Sequence, residues 1–425
     1  MTLSRRSGSL PSALAPGACA RAGVVALLCL ASVACGQTED TLGEERAPRH
    51  PELRQLEGPA SYANSFRDVI GKTDAQISKK LEDAFEQLFH GDPATEAIYF
   101  TVGEDQAYIQ DILHGDVRSE GMGLGMLIAV QLDKQEEFDR LWRYAKAALQ
   151  YSSGARRGYF RSSCDSNGDV TACADPYGHQ LLLTALLFAH GRWGSAGEVD
   201  YQTDFWSVHD VMREKESENG GVVEGVTNLF DAQANLVVDV PENELAQRTR
   251  PSSVMPAFYE LWGQATGEPF WRDAAEHGRA FLTVAAHAET GLYPVRSTFD
   301  GEPFAGSDAF WPEAYRTHLN VALDGVWFGE SWAGAASDKI LTFFADQGST
   351  YGTAYSLGGD VLDPAREVAL VFMNGALAAS SSLDGRDAFI EAAWDLPQPS
   401  GQPRYYAGLL HLVTLLTLSG QLRVY

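Results

Sequence analysis

The sequence is poor in basic residues, in cysteine and in long apolar runs, and these shortages exclude several classes of protein. Lysine and arginine number 32 against 57 acidic residues, so the formal net charge is −25. Such a charge repels nucleic acid and anionic lipid, and we expect neither as a direct partner. The 425 residues include five cysteines, and no histidine cluster has the spacing of metal ligands. We therefore expect no metal site and no cofactor.

The first 35 residues have the pattern of a secretion leader rather than of a folded element. Basic residues precede an apolar run over residues 23–34, which is too short to span a bilayer, and small residues lead to Cys35. This pattern predicts an exported bacterial protein that carries lipid on Cys35 in the cell envelope. Because Ser32 occupies the position three residues before that cysteine, plain secretion is the alternative.

The rest of the sequence divides into a tether and one domain. Residues 36–55 are polar and contain proline, which is typical of a flexible tether. No break in composition divides residues 56–425. Two cysteines lie in this domain, Cys164 and Cys173, and they flank a turn-rich segment. In an exported protein this spacing predicts a local disulfide.

Apolar residues recur at helical spacing in about a dozen segments of the domain. Segments that are apolar on nearly every side, such as residues 119–132, alternate with amphipathic ones, such as residues 136–151. Strand patterns are weak and confined to loops, and no sequence repeat indicates a simple solenoid. The alternation favours an all-α fold, an α/α barrel with an inner and an outer ring of helices. An irregular helical bundle is the alternative.

Two acidic residues are candidates for catalysis. Glu120 begins an apolar segment and is followed by three glycines at alternate positions, which suggests close approach of backbone or ligand. Glu313 lies among the aromatic residues of FWPEAYR at 310–316. Two carboxylates in an aromatic, glycine-edged cleft indicate acid and base catalysis on a sugar. The local sequence also allows Glu120 to cap a helix beside Ser119, and Glu313 simply to begin one.

Several motifs are spread over the chain in a fixed order: DVRSEGM at 116–122, FAHGRWG at 188–194, PAFYELW at 256–262, TGLYP at 290–294 and PSGQPRYY at 399–406. This set resembles glycoside hydrolase family 8, bacterial inverting hydrolases of β-1,4-linked glucan, xylan, xylo-oligosaccharide and chitosan. The later motifs are most similar to its branch of exo-oligoxylanases, which release xylose from reducing ends. The resemblance implies an (α/α)6 barrel of about twelve helices.

The resemblance also implies roles for individual residues. Glu120 corresponds to the proton donor, and Glu313 to the base that activates water, although the family usually has Asp there. The expected partner is an oligo- or polysaccharide, with xylo-oligosaccharide favoured, and the protein is expected to be a monomer. The residues implied in substrate binding are Asp116, Arg118, Tyr177, Trp311, Tyr315, Arg316, Tyr405 and Tyr406.

Several positions depart from the family pattern. Tyr177 stands where the family has an Asp that steadies the distorted sugar, and Arg250 stands where the oligoxylanases have another Asp. Ala407 stands where an Asp usually follows the tyrosine pair. All of these positions are expected to face the groove. They leave open an alternative function, a surface lipoprotein that binds carbohydrate on the same scaffold with weak or no catalysis.

Overall fold

The structure is a computed structural model that describes residues 50–165 and 170–425, together with the side chains of all of these except 163–173. The leader and Cys35 lie outside the described residues, as do the side chains of Cys164 and Cys173. The lipid anchor and the disulfide therefore stay predictions. Across the described residues, no helix combines the length and the apolar character needed to cross a membrane.

Thirteen α-helices form the framework of the described chain. In chain order they are α1 (Ser65–Asp68), α2 (Asp74–His90), α3 (Ser119–Gln131), α4 (Gln135–Tyr144), α5 (Pro176–Trp193), α6 (Tyr201–Asn219), α7 (Pro256–Thr266), α8 (Pro269–Ala285), α9 (Arg316–Phe328), α10 (Ser331–Asp346), α11 (Val368–Leu377), α12 (Asp387–Asp395) and α13 (Tyr406–Leu418). A π-helical turn, Ala145–Leu149, extends α4.

Six of these helices close into an inner ring. Helices α3, α5, α7, α9, α11 and α13 each pack against the next, and α13 returns to contact α3. The remaining long helices form the outer ring: α4, α6, α8, α10, α12 and α2 each pack against one inner helix. The fold is therefore an (α/α)6 barrel. This arrangement confirms the predicted all-α barrel over the irregular bundle.

The inner helices pack closely because glycine removes side chains at their contacts. In α3, a Cβ on Gly123 would lie 2.5 Å from Leu181 Cβ of α5, and one on Gly125 would lie 2.8 Å from Ile109 Cγ1. Neither position has room for a methyl group. The alternating glycines thus set the distance between α3 and its neighbours, as the sequence indicated.

The structure contains more strand than the sequence indicated. Five strands form an antiparallel sheet in sequential order: β1 (Tyr99–Val102), β2 (Gln106–Asp111), β3 (Asp116–Arg118), β4 (Arg161–Asp165) and β5 (Val170–Ala174). Two further pieces are the β6–β7 hairpin (Phe230–Asp231 and Leu236–Val237) and a three-stranded sheet of β8 (Ala309–Phe310), β9 (Ala354–Ser356) and β10 (Val361–Asp363). Strand β3 runs directly into α3, and β8 leads to the 3₁₀ turn Pro312–Ala314, so a strand precedes each candidate acid.

Residues 50–55, which were predicted to form the end of the tether, pack against the domain. The His50 ring stacks on Trp206 with centroids 4.7 Å apart, and the Leu53 side chain is buried. Backbone hydrogen bonds also join this segment to the domain, among them Arg54 N to the carbonyl of Ala265 at 2.9 Å. Residues 50–55 are therefore part of the domain because their apolar and backbone groups are satisfied by it.

Candidate active site

Glu120 lies in the first turn of α3 and does not cap it. The N-cap residue is Arg118, whose side chain makes no capping hydrogen bond. Ser119 is committed elsewhere, because its hydroxyl donates to Asp175 Oδ2 at 2.8 Å. The Glu120 side chain keeps 18% of its surface exposed. Glu120 therefore presents its carboxyl to a partly open space at the start of an inner helix.

Arg316 holds the Glu120 carboxyl from the neighbouring side of the site. Its Nη1 lies 2.6 Å from Glu120 Oε1, and its guanidinium lies 4.2 Å from the centroid of the Tyr177 ring. Burial opposes the charge of Arg316, but Glu120 and the surrounding phenols outweigh it, and the pKa of Arg316 is raised. Arg316 is thus a permanent cation that is buried between Glu120 and Tyr177.

Glu313 lies on the 3₁₀ turn Pro312–Ala314, immediately before α9. Its side chain is exposed. Two contacts brace the turn: Arg316 Nε donates to the Glu313 carbonyl at 3.4 Å, and the Tyr406 hydroxyl donates to the Pro312 carbonyl at 2.9 Å. The same arginine therefore contacts the carboxyl of Glu120 and the backbone of Glu313.

Both acids line one cavity of about 420 Å³. Its lining combines carboxylates, two arginines and the tyrosine pair at the start of α13. The residues are Asp111, Leu113, His114, Arg118, Glu120, Pro312, Glu313, Arg316, Glu367, Gln402, Pro403, Tyr405, Tyr406 and Ala407. Burial, with the nearby Glu120 carboxylate, raises the pKa of Tyr405 well above its usual value, so Tyr405 stays a neutral phenol.

One wall of the cavity contains charged side chains, Asp111 and His114, that the sequence analysis did not identify. Asp111, at the end of β2, is buried and accepts from His114 Nδ1 at 2.8 Å. Arg118 Nε lies 3.0 Å from Asp111 Oδ2 and also 3.0 Å from Asp116 Oδ1. Asp111 and His114 follow no local motif, and only the turn between β2 and β3 brings them beside Arg118.

The structure brings together six of the predicted site residues and leaves four outside the cavity lining. Glu120, Glu313, Arg118, Arg316, Tyr405 and Tyr406 line the cavity. Asp116 supports Arg118 from behind, and Tyr177 lies under Arg316. Trp311 is exposed beside the lining residue Pro312. Tyr315 is fully buried, and its hydroxyl donates to the carbonyl of Thr353, so packing turns it away from the cavity.

Two positions that were expected to depart from the family pattern, Arg250 and Ala407, lie in different places in the structure. Ala407 lines the cavity, where its short side chain leaves space. Arg250 pairs instead with the buried Asp239. Over the described ranges, no group of three or more His, Cys, Asp or Glu side chains is placed to hold a metal ion.

A helical barrel whose cavity is lined by two candidate acids, tyrosines and arginines suits an enzyme that acts on carbohydrate. Residues 111–420 match the model of glycosyl hydrolases family 8. The chain belongs to glycoside hydrolase family 8, whose members are inverting glycosidases that act on xylo-oligosaccharides or cellulose.

Relatives of known activity and solved structures agree with this assignment. The chain is 36% identical over 380 residues to the reducing-end xylose-releasing exo-oligoxylanase Rex8A of Paenibacillus barcinonensis, covering 86% of this chain and 97% of that protein. It is 26% identical over 311 residues to endoglucanase C of Ruminiclostridium cellulolyticum, covering 72% of this chain and 64% of that protein. A family 8 xylobiose complex from Teredinibacter turnerae superposes with a TM-score of 0.82 at 36% identity, covering 86% and 98% of the two chains.

Proposed function

We propose that the protein hydrolyses β-1,4-linked xylo-oligosaccharides with inversion, with Glu120 as the general acid and Glu313 as the general base. The observation that carries this proposal is the bridge made by Arg316, which contacts the Glu120 carboxyl at 2.6 Å and the Glu313 carbonyl at 3.4 Å. Through this arginine the two acids are linked at one cavity, which both of them line. The similarity to oligoxylanases favours xylo-oligosaccharide over glucan.

In the proposed reaction Glu120 starts protonated and Glu313 starts as a carboxylate. Glu120 gives its proton to the glycosidic oxygen as the bond to the anomeric carbon breaks. Glu313 takes a proton from the water that attacks this carbon from the opposite face, which requires carboxyls about 6.5–9.5 Å apart. The family's usual Asp is one methylene shorter than Glu313. Because Glu313 lies exposed on a turn, its side chain has room to withdraw and admit the water.

Proton NMR of the first product tests the mechanism. Xylotetraose is mixed with the protein, and the anomeric signals are followed before mutarotation mixes them. Inversion predicts that the α-anomer appears first. First appearance of the β-anomer would contradict the role of Glu313 as base.

A second function is favoured by Tyr177, which replaces the sugar-steadying Asp of the family and stacks under Arg316. In this case the cavity binds carbohydrate without cleaving it. Calorimetry and product analysis with the wild type and Glu120→Gln distinguish the two. Binding by both proteins with cleavage by neither supports the binding protein, whereas cleavage lost only in Glu120→Gln supports the enzyme.

We further propose that the protein is exported and anchored through lipid on Cys35, on the support of the leader sequence alone. Cys35→Ser should move the protein from the membrane fraction to the soluble fraction. Cysteine labelling of the oxidised protein before and after reduction tests the disulfide between Cys164 and Cys173.

A further inference from the structure

Three arginines converge on one buried carboxylate outside the cavity. Asp239 Oδ2 lies 2.7 Å from Arg248 Nε and 2.9 Å from Arg296 Nε, and Arg250 Nε contacts Oδ1. The Asp239 side chain is 1% exposed. Burial by itself would raise the pKa of the Asp239 carboxyl, but the arginines lower it by more. The pKa of Asp239 therefore lies below its usual value. We call Arg248, Arg250 and Arg296 the arginine cluster.

The arginine cluster carries more positive charge than Asp239 requires. One arginine is enough to balance a buried carboxylate, and this one has three, which leaves an excess of two positive charges. Asp239 is the sole carboxylate within ion-pair distance of these guanidinium groups in the described part of the chain. The excess stands out in a protein whose net charge is −25.

The guanidinium groups also have free donors. Each arginine holds Asp239 through its Nε. Arg296 Nη1 donates to Ser307 Oγ at 3.2 Å, whereas the terminal nitrogens of Arg248 and Arg250 have no hydrogen-bond partner in the described residues. The side chains remain 18–26% exposed, so an anion in solution has access to them.

A rigid backbone presents the cluster on one face. Thr249 and Ser297 exchange two backbone hydrogen bonds of 3.0 Å across an antiparallel bridge. Alternate residues of an extended chain project to the same side, so Arg248 and Arg250 share a face on which Arg296 is the cross-strand neighbour. This arrangement fixes the arginines before any ligand arrives.

The cluster lies beside the proposed catalytic turn. Arg250 directly precedes the 3₁₀ turn Pro251–Ser253, which packs against the turn Pro312–Ala314 that carries Glu313. On the opposite side of the bridge, the backbone N–H of Arg296 donates a hydrogen bond to the carbonyl of Ser307 at 3.2 Å. The exposed Trp311 follows Ser307 by four residues, which corresponds to about 13 Å between the two residues in an extended chain.

Aromatic surface accompanies the charge. The Arg248 guanidinium lies 4.7 Å from the centroid of the Phe304 ring, which is 37% exposed, and Trp311 is 39% exposed. Aromatic faces are suited to packing against the apolar faces of sugar rings. A sugar chain that leaves the cavity past Trp311 thus meets aromatic surface and free arginine donors.

We propose that the arginine cluster is a subsite for a carboxylate carried by the substrate, as in an oligosaccharide branched with a uronic acid. This inference rests on the proposed function and identifies its preferred substrate class. The paired N–H groups of arginine match the two oxygens of a carboxylate, and such charge-assisted bonds are about twice as strong as neutral ones. Neutral xylo-oligosaccharides gain nothing from the excess charge.

The test is the ratio of kcat/KM for a uronic-acid-branched xylo-oligosaccharide to that for the neutral oligosaccharide of the same backbone length. We expect the wild type to prefer the acidic substrate by about tenfold or more, because hydrogen bonds between charged groups are about twice as strong as neutral ones. Arg250→Gln should lower this ratio about tenfold, and Arg250→Lys should lower it less. Arg143→Gln, which changes a half-buried arginine that is paired with the exposed Glu198, should leave the ratio unchanged.

Several outcomes would overturn the proposal. A wild-type ratio near one, or a ratio that Arg250→Gln does not lower, would show that the cluster does not select carboxylates. An equal gain with a sulfated oligosaccharide would identify a general anion site instead. If neither substrate is cleaved, the proposed function fails, but calorimetry with Glu120→Gln still measures whether the acidic oligosaccharide binds more tightly than the neutral one.

Arg250→Gln leaves Arg248 and Arg296 on Asp239, so the variant should fold, and its thermal midpoint checks this. Salt gives an independent readout of the charge. Raising sodium chloride should weaken binding of the acidic oligosaccharide and leave the neutral one nearly unaffected, since added ions screen charged contacts.

Discussion

Arg316 Nη1 lies 2.6 Å from Glu120 Oε1, and the arginine side chain is only 6% exposed. This contact occupies one oxygen of the Glu120 carboxyl, whereas the proposed reaction requires Glu120 to pass a proton to the glycosidic oxygen. The bound sugar must therefore weaken this contact or supply new partners for Arg316. The pair consequently affects both the stability of the fold and the chemistry of the site.

The first prediction is that Glu120 and Arg316 are energetically coupled. A double-mutant cycle with Glu120→Gln and Arg316→Gln should give a coupling of about 1–3 kcal/mol, because both groups are largely removed from water. Urea unfolding of the four proteins measures this energy. The exposed pair Lys79 and Asp83, 2.8 Å apart, is the control and should give less than about 1 kcal/mol. Equal coupling for both pairs would contradict the role of burial.

The second prediction concerns the buried hydroxyl of Tyr177, which has no hydrogen-bond partner among the described residues. If a sugar hydroxyl satisfies it on binding, Tyr177→Phe should lower kcat/KM about fivefold to tenfold, the value of one neutral hydrogen bond. Stability should stay equal or rise, since the substitution removes an unsatisfied polar atom and keeps the ring under Arg316.

Tyr293 supplies the matched control for this experiment. Its hydroxyl is also buried without a partner in the described residues, but only the Tyr177 ring lies under Arg316, the arginine that contacts Glu120. Tyr293→Phe should therefore match Tyr177→Phe in stability and leave kcat/KM unchanged. Identical kinetics for the two variants would show that the Tyr177 hydroxyl does not contact substrate.

The third prediction separates the glycines of α3 by function. A Cβ on Gly121 would lie 2.6 Å from Cε2 and 2.7 Å from the hydroxyl of Tyr405, so Gly121→Ala displaces a ring that lines the cavity. A Cβ on Gly123 would meet Leu181 Cβ at 2.5 Å, where no rotamer change gives relief. We expect Gly123→Ala to cost about 1–3 kcal/mol of unfolding free energy.

Gly121→Ala should instead lower kcat more than tenfold, because displacements near one ångström at an active site cost about a hundredfold. Its loss of stability should be smaller than that of Gly123→Ala, since the Tyr405 ring is able to shift toward the cavity. Chemical unfolding and steady-state kinetics of the two variants measure both effects. A larger kinetic loss in Gly123→Ala would reverse these assignments.

The helical framework was predictable from the sequence, whereas the sheet was not. Apolar spacing predicted about a dozen helices, because inner helices such as α11 and α13 are apolar on nearly every side. The sheet depends on pairings that local sequence does not reveal. Val117 of β3 pairs with Cys164 of β4, 47 positions later, and each strand is only a few residues long.

The candidate site was predictable only where a motif carried it. Glu120 and Glu313 belong to recognisable motifs, and both line the cavity. Asp111 and His114 have no local pattern, and the β2–β3 turn alone brings them there. Tyr315 lies in the same motif as Glu313, yet the α9 turn points its ring into the core. Motifs thus identify the candidate catalytic segments, while packing decides which side chains face the cavity.

The last prediction is that three buried histidines make the fold sensitive to acid. Burial lowers the pKa of His179 to about 4 and those of His318 and His411 to about 3. The usual pKa near 6.5 applies in the unfolded chain. Between these values the unfolded state binds more protons, so stability falls as the pH is lowered from about 6.5 toward 4. Above pH 7 the three groups are neutral in both states and contribute no slope.

Each such group adds up to about 1.4 kcal/mol per pH unit to the dependence of unfolding free energy on pH. His318→Asn removes one of the three, so its slope between pH 6 and pH 4 should be smaller than that of the wild type by about this amount. Urea unfolding at half-unit steps of pH measures the two slopes. The variant starts less stable at neutral pH, because the smaller side chain packs less well against Phe310, but its curve should converge on that of the wild type in acid. Parallel curves over the whole range would show that His318 takes up its proton without unfolding of the barrel.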